Sequence, residues 1–551
     1  MPRLRLTGLV RLMIAAVAVA VFVVVSIDLL STSVTAPNVG RQFQSIFEDD
    51  NLLVYQPATP VGDATVEKTL HTLKSLGATR LRVIVEWSYI APATEGQGFQ
   101  ASDPSTYSPC AWVPYDRIDR LATAAGLSVY FDVTAPGPAW AMTAGGVGKF
   151  ANHYAPQEAD FEQFMLALGK RYDGQYAPTD SCPGTPLRDS AALPRVSFWS
   201  LWNEPNQPGW LAPQYTPTGH PISPSLYRAY TTAFWDALTA TGHTPQTDTL
   251  LIGELASEGC IHGAPCGFQG GPTEAPIPPI PFIQTLYCVG PNYEPLTGAA
   301  AYDVACPTSG NRARFVAANP GLFQISGFAH HPYDFSLAPG LSTPFVQFAP
   351  LADLSRLENA LDEVFNTYGV DRKLGIYLTE YGYVTDPPNP DFSDVSPALQ
   401  AQYLSQALYL AYLNPRVRGL AQYELQDASP NTAYPATAPQ YWETFQTGLE
   451  FLGGKHKPSY AAYRMPIFIA DPVAGSSGTV SVWGMARPAP DGAPQTVQIQ
   501  WRAGTSGPYE LLANVSTSDR FIRDAVEIPA SGFVRIAWHG FVSLATPVTR
   551  H

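Results

Sequence analysis

The chain has 551 residues, 45% of them hydrophobic and only 14% charged, which excludes wholesale disorder and allows a large packed core. Its formal net charge of −14 leaves no basic stripe to neutralise phosphates, and this argues against a nucleic-acid partner. With 53 prolines, 44 glycines and 12% aromatics, much of the surface is expected to be stiff, aromatic-lined loop.

Residues 1–36 read as a targeting segment. Arg3, Arg5 and Arg11 precede an uncharged run from Leu12 to Ile27 that reaches Leu30 if Asp28 is tolerated. The longer count spans roughly 28 Å, just short of a ~30 Å hydrocarbon core. The next cation is Arg41, so the positive-inside rule places the remainder outside the cytoplasm. The small-residue site "SVTA" is followed by Pro37, which suits a signal peptidase poorly. An uncleaved signal-anchor is therefore expected, giving a single-pass membrane protein with its bulk outside; a cleaved signal peptide and a secreted protein are the rival.

Between residues 40 and 464 strand-like and helical patterns alternate. "NLLVY" (51–55) precedes a helix from about Asp63 with Val66, Leu70, Leu73 and Leu76 on one stripe. "TRLRVIVEW" (79–87), a helix over 115–125 and "LSVYFDV" (127–133) follow, then a helix over 160–172. Next come "VSFWSLW" (196–202), a helix over 224–241 and "TLLIGEL" (249–255). The stretch 257–310, rich in proline and cysteine, reads as an insertion. "FQISGFAHH" (323–331), a helix over 352–368, "LGIYLTEYGY" (374–383), a helix over 397–413 and "RGLAQYEL" (418–425) complete the series. Eight strands with helices between them predict a (β/α)8 TIM barrel. From 466 to 548 short alternating strands separated by Gly, Pro and Ser predict a C-terminal β-sandwich domain.

The six cysteines, 110, 182, 260, 266, 288 and 306, are even in number and fit an oxidising, exported setting. Of the 15 pairings they allow, proximity in the chain favours Cys260 with Cys266 and Cys288 with Cys306, leaving Cys110 with Cys182. The absence of a C-x-x-C spacing in the sequence argues against a zinc ribbon or thioredoxin-type site.

In such barrels chemistry sits where strands end. Glu204, in "FWSLWNEPNQPGW", follows the fourth strand, and Glu380, in "IYLTE", follows the seventh. Strict alternation places Glu380 with Leu378 and Ile376, and this face is expected to point into the barrel mouth. Two carboxylates on opposed strands are the apparatus of glycoside hydrolysis: one protonates the leaving oxygen while the other attacks or activates water. Alternation also points Asn203 away from Glu204, so both reach one site only if the strand end bulges. Glu254 in "LIGEL" reads as a structural ion-pair residue rather than a sugar contact. His330 and His331 point to opposite faces without a ligand cluster, so no metal is expected, and the chemistry needs no cofactor. Trp87, Trp140 and Trp210 offer rings for sugar stacking or, equally, for core packing.

"WNEPN" followed by "LTEYGY" resembles the acid/base and nucleophile motifs of the clan A retaining glycoside hydrolases. The order of "LIGEL", "GFAHHPYDF" and "YLTEYGY" is most similar to family 39, the β-xylosidase and α-L-iduronidase-like enzymes, and its bacterial relatives. The resemblance spans about 45–463. It implies Glu204 as acid/base, Glu380 as nucleophile, Asn203 on the sugar 2-hydroxyl, Arg82 steadying Glu380, and His331 and Tyr333 lining the same site. Relatives carry a tryptophan at the end of the eighth strand; "AQYELQD" has none, and Trp442 in the following loop is the expected substitute. The function implied is double-displacement hydrolysis of O-glycosidic bonds in an extracellular or cell-envelope oligo- or polysaccharide. A transglycosylase on the same barrel and a non-catalytic carbohydrate-binding or cell-wall scaffold are the alternatives.

Overall fold

The computed structural model describes residues 43–551 apart from 144–150, 152, 180, 184, 186–190, 262–265, 267–270, 272, 388 and 391. The targeting segment expected over residues 1–36 lies outside these. Among the described residues no helix is long and apolar enough to cross a membrane.

Eight parallel strands close into a barrel in sequence order. They are β1 (Gln44–Glu48), β2 (Arg80–Glu86), β3 (Ser128–Thr134), β4 (Phe198–Leu201), β5 (Thr249–Ala256), β6 (Gly327–His331), β7 (Gly375–Leu378) and β8 (Val417–Tyr423). The longer helices around them are α1 (Pro60–Ser75), α2 (Pro109–Ala124), α3 (Glu158–Arg171), α4 (Ser223–Ala240), α5 (Pro279–Leu286), α6 (Leu354–Tyr368) and α7 (Pro397–Leu413). Helix α1 starts as its sequence dictates, with Thr59 Oγ1 capping Gly62 N–H at 3.2 Å and Pro60 in the first turn. Its stripe Val66, Leu70 and Leu73 is fully buried. Helix α6 ends on Gly369, whose φ of 68° is the left-handed conformation that terminates helices.

The first strand is not "NLLVY". Asp50–Leu53 forms one helical turn, because Asp49 Oδ1 accepts from Leu52 N–H at 3.0 Å and nucleates it. The strand is instead the preceding "QSIFE". The sixth and seventh strands are shorter than their apolar runs suggest, since Pro320–Phe323 is helical and the chain leaves β7 after Leu378. The insertion over 257–310 carries α5 and a second short helix, Gly298–Tyr302.

The barrel interior holds Ile46, Tyr130, Phe198, Leu251, Ala329 and Ala421 in one apolar cluster, with Tyr377 packed against it. Arg80 lies over the Phe198 ring at 4.0 Å. This apolar plug forms the floor beneath the polar layer described below. All three expected cysteine pairings are present: Cys110–Cys182, Cys260–Cys266 and Cys288–Cys306.

Beyond the short helix Pro458–Arg464 the chain is β-rich. One sheet runs β10 (Val473–Ala474), β17 (Thr546–Arg550), β15 (Gly532–Trp538), β12 (Gln495–Ala503), β13 (Glu510–Thr517), with β16 (Phe541–Val542) paired to β15; the other runs β14 (Phe521–Glu527), β11 (Thr479–Met485), β9 (Ile467–Phe468). Trp483, Met485 and Phe521 from this domain belong to the apolar cluster of the barrel. The two parts are thus joined by a continuous core, and residues 42–551 form one compact unit.

Candidate active site

A cavity of about 730 Å³ opens at the end of the barrel where the strands terminate, and Glu204, Glu380, Asn203, Tyr333 and Trp210 all line it. Both glutamates arrive there by breaking strand alternation. On β4, Phe198 and Ser200 face inward: Phe198 joins the interior cluster and Ser200 donates to Glu254. Trp202 should follow them, but its φ of 63° swings it outward to stack on Tyr230 at 4.8 Å between ring centroids. Glu204 is also left-handed, with φ 39°. Asn203 and Glu204 therefore reach the cavity together, through two residues held in a conformation costing of order 1–3 kcal/mol each.

Glu380 corrects the parity argument. Ile376 and Leu378 pack outward in the helix-facing core, and Tyr377 and Thr379 face the interior. Glu380 enters the cavity because the strand has already ended, not because it shares a face with Leu378.

Beneath the cavity Arg82, fully buried on β2, organises five residues. Its Nη1 donates to Glu48 Oε2 at 2.5 Å and Glu380 Oε1 at 2.7 Å. Its Nη2 donates to Asp132 Oδ2 at 2.7 Å, Asn203 Oδ1 at 2.6 Å and Glu254 Oε2 at 3.3 Å. Asn203 thus accepts through its oxygen and keeps its amide N–H groups for the cavity. His331 lies alongside, also fully buried. Its Nδ1 donates to Glu204 Oε1 at 3.0 Å and its Nε2 to Glu254 Oε2 at 2.7 Å, while Glu380 Oε1 lies 3.6 Å from Nδ1. A glutamate carboxyl at each nitrogen favours the imidazolium, in which both nitrogens donate. Burial alone would lower the His331 pKa, but the Glu380 charge and the hydrogen bonds to Glu204 and Glu254 raise it to about 10.

Glu254 is the structural anion expected from the sequence. It is fully buried and accepts from Ser200 Oγ at 2.5 Å, Thr379 Oγ1 at 2.6 Å and the Tyr130 hydroxyl. Burial pushes its pKa up, yet Arg82 and His331 outweigh that and hold it well below the usual carboxylate range. It points inward because a bulge breaks the β5–β6 register between Ile252 and Leu255. Gly253, φ 115°, makes the bulge; a Cβ there would lie 2.4 Å from the Ala329 carbonyl.

Carboxylate oxygens of Glu204 and Glu380 lie within 4.8 Å of each other and of a His331 ring nitrogen. Burial raises the Glu380 pKa from its ordinary 4.5, opposed by His331 and Arg82 and reinforced by Glu204. Tyr333 donates to Glu380 Oε2 at 3.3 Å. The trio Glu204, His331 and Glu380 has the spacing of a metal site, with His331 Nδ1 hydrogen-bonded to Glu204. His330 faces the other way, onto the Ala349 carbonyl at 2.7 Å.

The expected tryptophans divide. Trp87 is fully buried, stacked on Phe164 and edge-on to Trp140, whose Nε1 donates to the Pro92 carbonyl. Neither lines the cavity; both pack the barrel's outer core. Trp442 is likewise outside the lining, packed edge-on against Tyr441. At the end of β8 the positions beside the site are Tyr423 and Glu424, with Phe445 reaching in from the loop. Glu48, Asp50, Glu86, Glu258 and Glu424 also line the cavity. For Glu48, Asp50 and Glu424 the signal is acidic residues at strand ends, in "FEDDN" and "QYELQD", the first of them closing the strand "QSIFE".

No known family matches the chain, and no curated protein does. Similar solved structures include a β-glucuronidase 2 from Bacteroides uniformis, 11% identical with a TM-score of 0.38, over 93% of this chain and 46% of that one. This chain spans about half the length of that protein. A GH5_18 protein from Bifidobacterium longum subsp. infantis is 12% identical, TM-score 0.43, over 77% of this chain and 78% of that one. A family 1 β-glucosidase from Thermotoga maritima is 12% identical, TM-score 0.43, over 78% and 98%. A likeness this distant bears on neither activity nor substrate.

Proposed function

We propose that the chain is a retaining glycoside hydrolase, with Glu204 as acid/base and Glu380 as nucleophile. The observation that carries this is the pair itself: an oxygen of Glu204 and one of Glu380 lie within 4.8 Å of each other across a cavity, which is nearer the roughly 5–5.5 Å carboxyl separation of retaining enzymes than the about 6.5–9.5 Å of inverting ones.

Glu204 donates its proton to the glycosidic oxygen as a Glu380 oxygen attacks the anomeric carbon. The carbon–oxygen bond to the leaving group breaks and a glycosyl ester forms. Glu204, now a carboxylate, takes a proton from water, which attacks the same carbon and releases Glu380. Arg82 and Tyr333 donate to Glu380 and orient it, His331 holds Glu204, and Asn203 takes the sugar 2-hydroxyl. The family 39 resemblance of the motifs supports the same roles. The substrate is an oligo- or polysaccharide outside the cytoplasm: three disulfides support an oxidising compartment, and the apolar run Leu12–Ile27 supports an anchor or a signal.

Glu380→Gln, isosteric with the native residue, should reduce turnover of activated aryl glycosides to below about a thousandth while leaving the melting temperature nearly unchanged. Glu204→Ala should spare activated aryl leaving groups, slow poor ones, and give a glycosyl azide when azide is added. A Glu380→Gln protein with a tenth of the native rate would remove Glu380 from the nucleophile role.

A further inference from the structure

The cavity is acidic in a way the proposed chemistry does not require. Besides Glu204 and Glu380, five carboxyl groups line it: Glu48, Asp50, Glu86, Glu258 and Glu424. Among its described lining residues there is no lysine, arginine or histidine. The two cations of the site lie below this surface, fully buried, and they are engaged. Arg82 gives its Nη hydrogens to Glu48, Glu380, Asp132, Asn203 and Glu254, and both His331 nitrogens are bound to glutamates.

Burial pushes the carboxyls of Glu48, Asp50, Glu86 and Glu424 above their ordinary range and Glu258 up to about 7, opposed at Asp50 by Arg82 and at Glu424 by Lys457. Among the described residues Asp50, Glu86 and Glu424 have no ion-pair partner. Glu86 accepts from the Tyr55 hydroxyl at 2.9 Å. Glu424 is only 2% exposed, and among the described residues its side chain accepts from Thr447 Oγ1, at 3.1 Å to Oε2. The remaining walls are aromatic, from Trp210, Tyr333, Phe335, Phe392, Tyr423 and Phe445, which suits the apolar faces of a sugar ring whatever its charge.

A ligand carboxylate, sulfate or phosphate entering here would lose its water, find no cation among the described lining residues, and face carboxyl oxygens on several sides. An uncharged sugar finds acceptors for its hydroxyls, and a protonated amine finds carboxyl oxygens to accept its hydrogens. We propose that this cavity selects neutral or amino sugars and rejects acidic ones, so that uronic, sulfated and phosphorylated glycosides are not its substrates. The proposal rests on the glycoside-hydrolase reading for its location and deepens it by naming the substrate class. Selectivity of this kind arises as much from what a site repels as from what it holds.

The test compares aryl glycosides matched in ring stereochemistry and differing in charge: glucoside, glucuronide and glucosaminide, with the corresponding galacto series. Within the series the protein accepts, kcat/KM for the uronide should be at least about a hundredfold below that of the neutral sugar, with the free-amine sugar within about tenfold. A uronide hydrolysed as fast as its neutral partner, or an amine rejected as strongly as the acid, would overturn the proposal. Calorimetric binding of the same sugars to the Glu380→Gln protein reads selectivity without turnover. A chain inert on every glycoside that still binds neutral but not acidic sugars would remove the hydrolase reading and leave this one standing. Equal binding of acidic sugars would remove this one.

Discussion

His331 lies between two carboxylates of different kind: Glu204 faces the cavity with 20% of its side chain exposed, and Glu254 is sealed below. The Glu380 charge, with the hydrogen bonds to Glu204 and Glu254, keeps the imidazolium charged, and the imidazolium in turn holds Glu204 in place by one oxygen, leaving the other for the substrate. Glu254 is therefore a positioning residue. Glu254→Gln should lower kcat by about 10–100-fold with the fold intact, and should move the His331 titration, followed by ¹⁵N NMR, down from about 10. An unmoved His331 signal would show that Glu254 serves packing alone. The same group sets an alkaline stability limit. Its folded pKa of about 10 lies above the ordinary 6.5, so its contribution is whole below 6.5 and is lost as pH rises through 10. The melting temperature should fall across that window, and His331→Asn should flatten the fall. Glu380 sets the acid limit of activity. Because burial raises its pKa above 4.5, kcat/KM should decline as pH drops through a value above 4.5; an acid limb at or below 4.5 would contradict the nucleophile assignment.

At the scale of elements, the site is made by strand ends that depart from alternation. Trp202, Glu204, Glu254 and Glu424 all have positive φ, and three of them are carboxylates in or beneath the cavity. This is why the barrel and the acidic pair were legible in the sequence while the detail was not. Apolar runs separated by helical stripes identify strands, and a glutamate before proline marks where one ends. Period-2 counting then fails at the functional residues, where the chain twists out of the sheet. It placed Glu380 on the face of Leu378, which turns outward, and left Asn203 and Glu204 apart until Trp202 is seen in the left-handed region. Aromatic residues misled for a related reason. Trp87, Trp140 and Trp442 lie in loops near the site in sequence, yet each packs on its neighbours, and the ring reaching the cavity from the last loop is Phe445. The β5 bulge tests the argument. Gly253→Ala forces a Cβ against the Ala329 carbonyl at a φ suited only to glycine, and should lower stability by roughly 1–3 kcal/mol and reduce activity with it. A denaturation midpoint unchanged from the native protein would show that the bulge is free to relax.

At the scale of the whole molecule, the β-rich domain is fastened to the end of the barrel remote from the cavity. Arg487 donates to Ser45 Oγ at 2.5 Å and to the Tyr463 carbonyl at 2.7 Å, with its guanidinium 4.0 Å over the Tyr463 ring. Phe521 packs against Phe43 and Tyr412, and Gly77 with φ 86° admits the Arg487 backbone where a Cβ would not fit. The domain thus covers the start of β1 and leaves the strand ends open to substrate. Arg487→Ala should lower stability by about 2 kcal/mol or more, since it strands buried acceptors, while leaving KM unchanged; a shift in KM would link this domain to the substrate. The central claim, that Glu204 and Glu380 form a double-displacement pair, is tested most directly by proton NMR of the first-formed sugar released from an activated glycoside. Retention of the substrate's anomeric configuration is the expected result. An inverted hemiacetal would contradict it, because inversion calls for a water between Glu380 and the anomeric carbon and the wider carboxyl separation of about 6.5–9.5 Å.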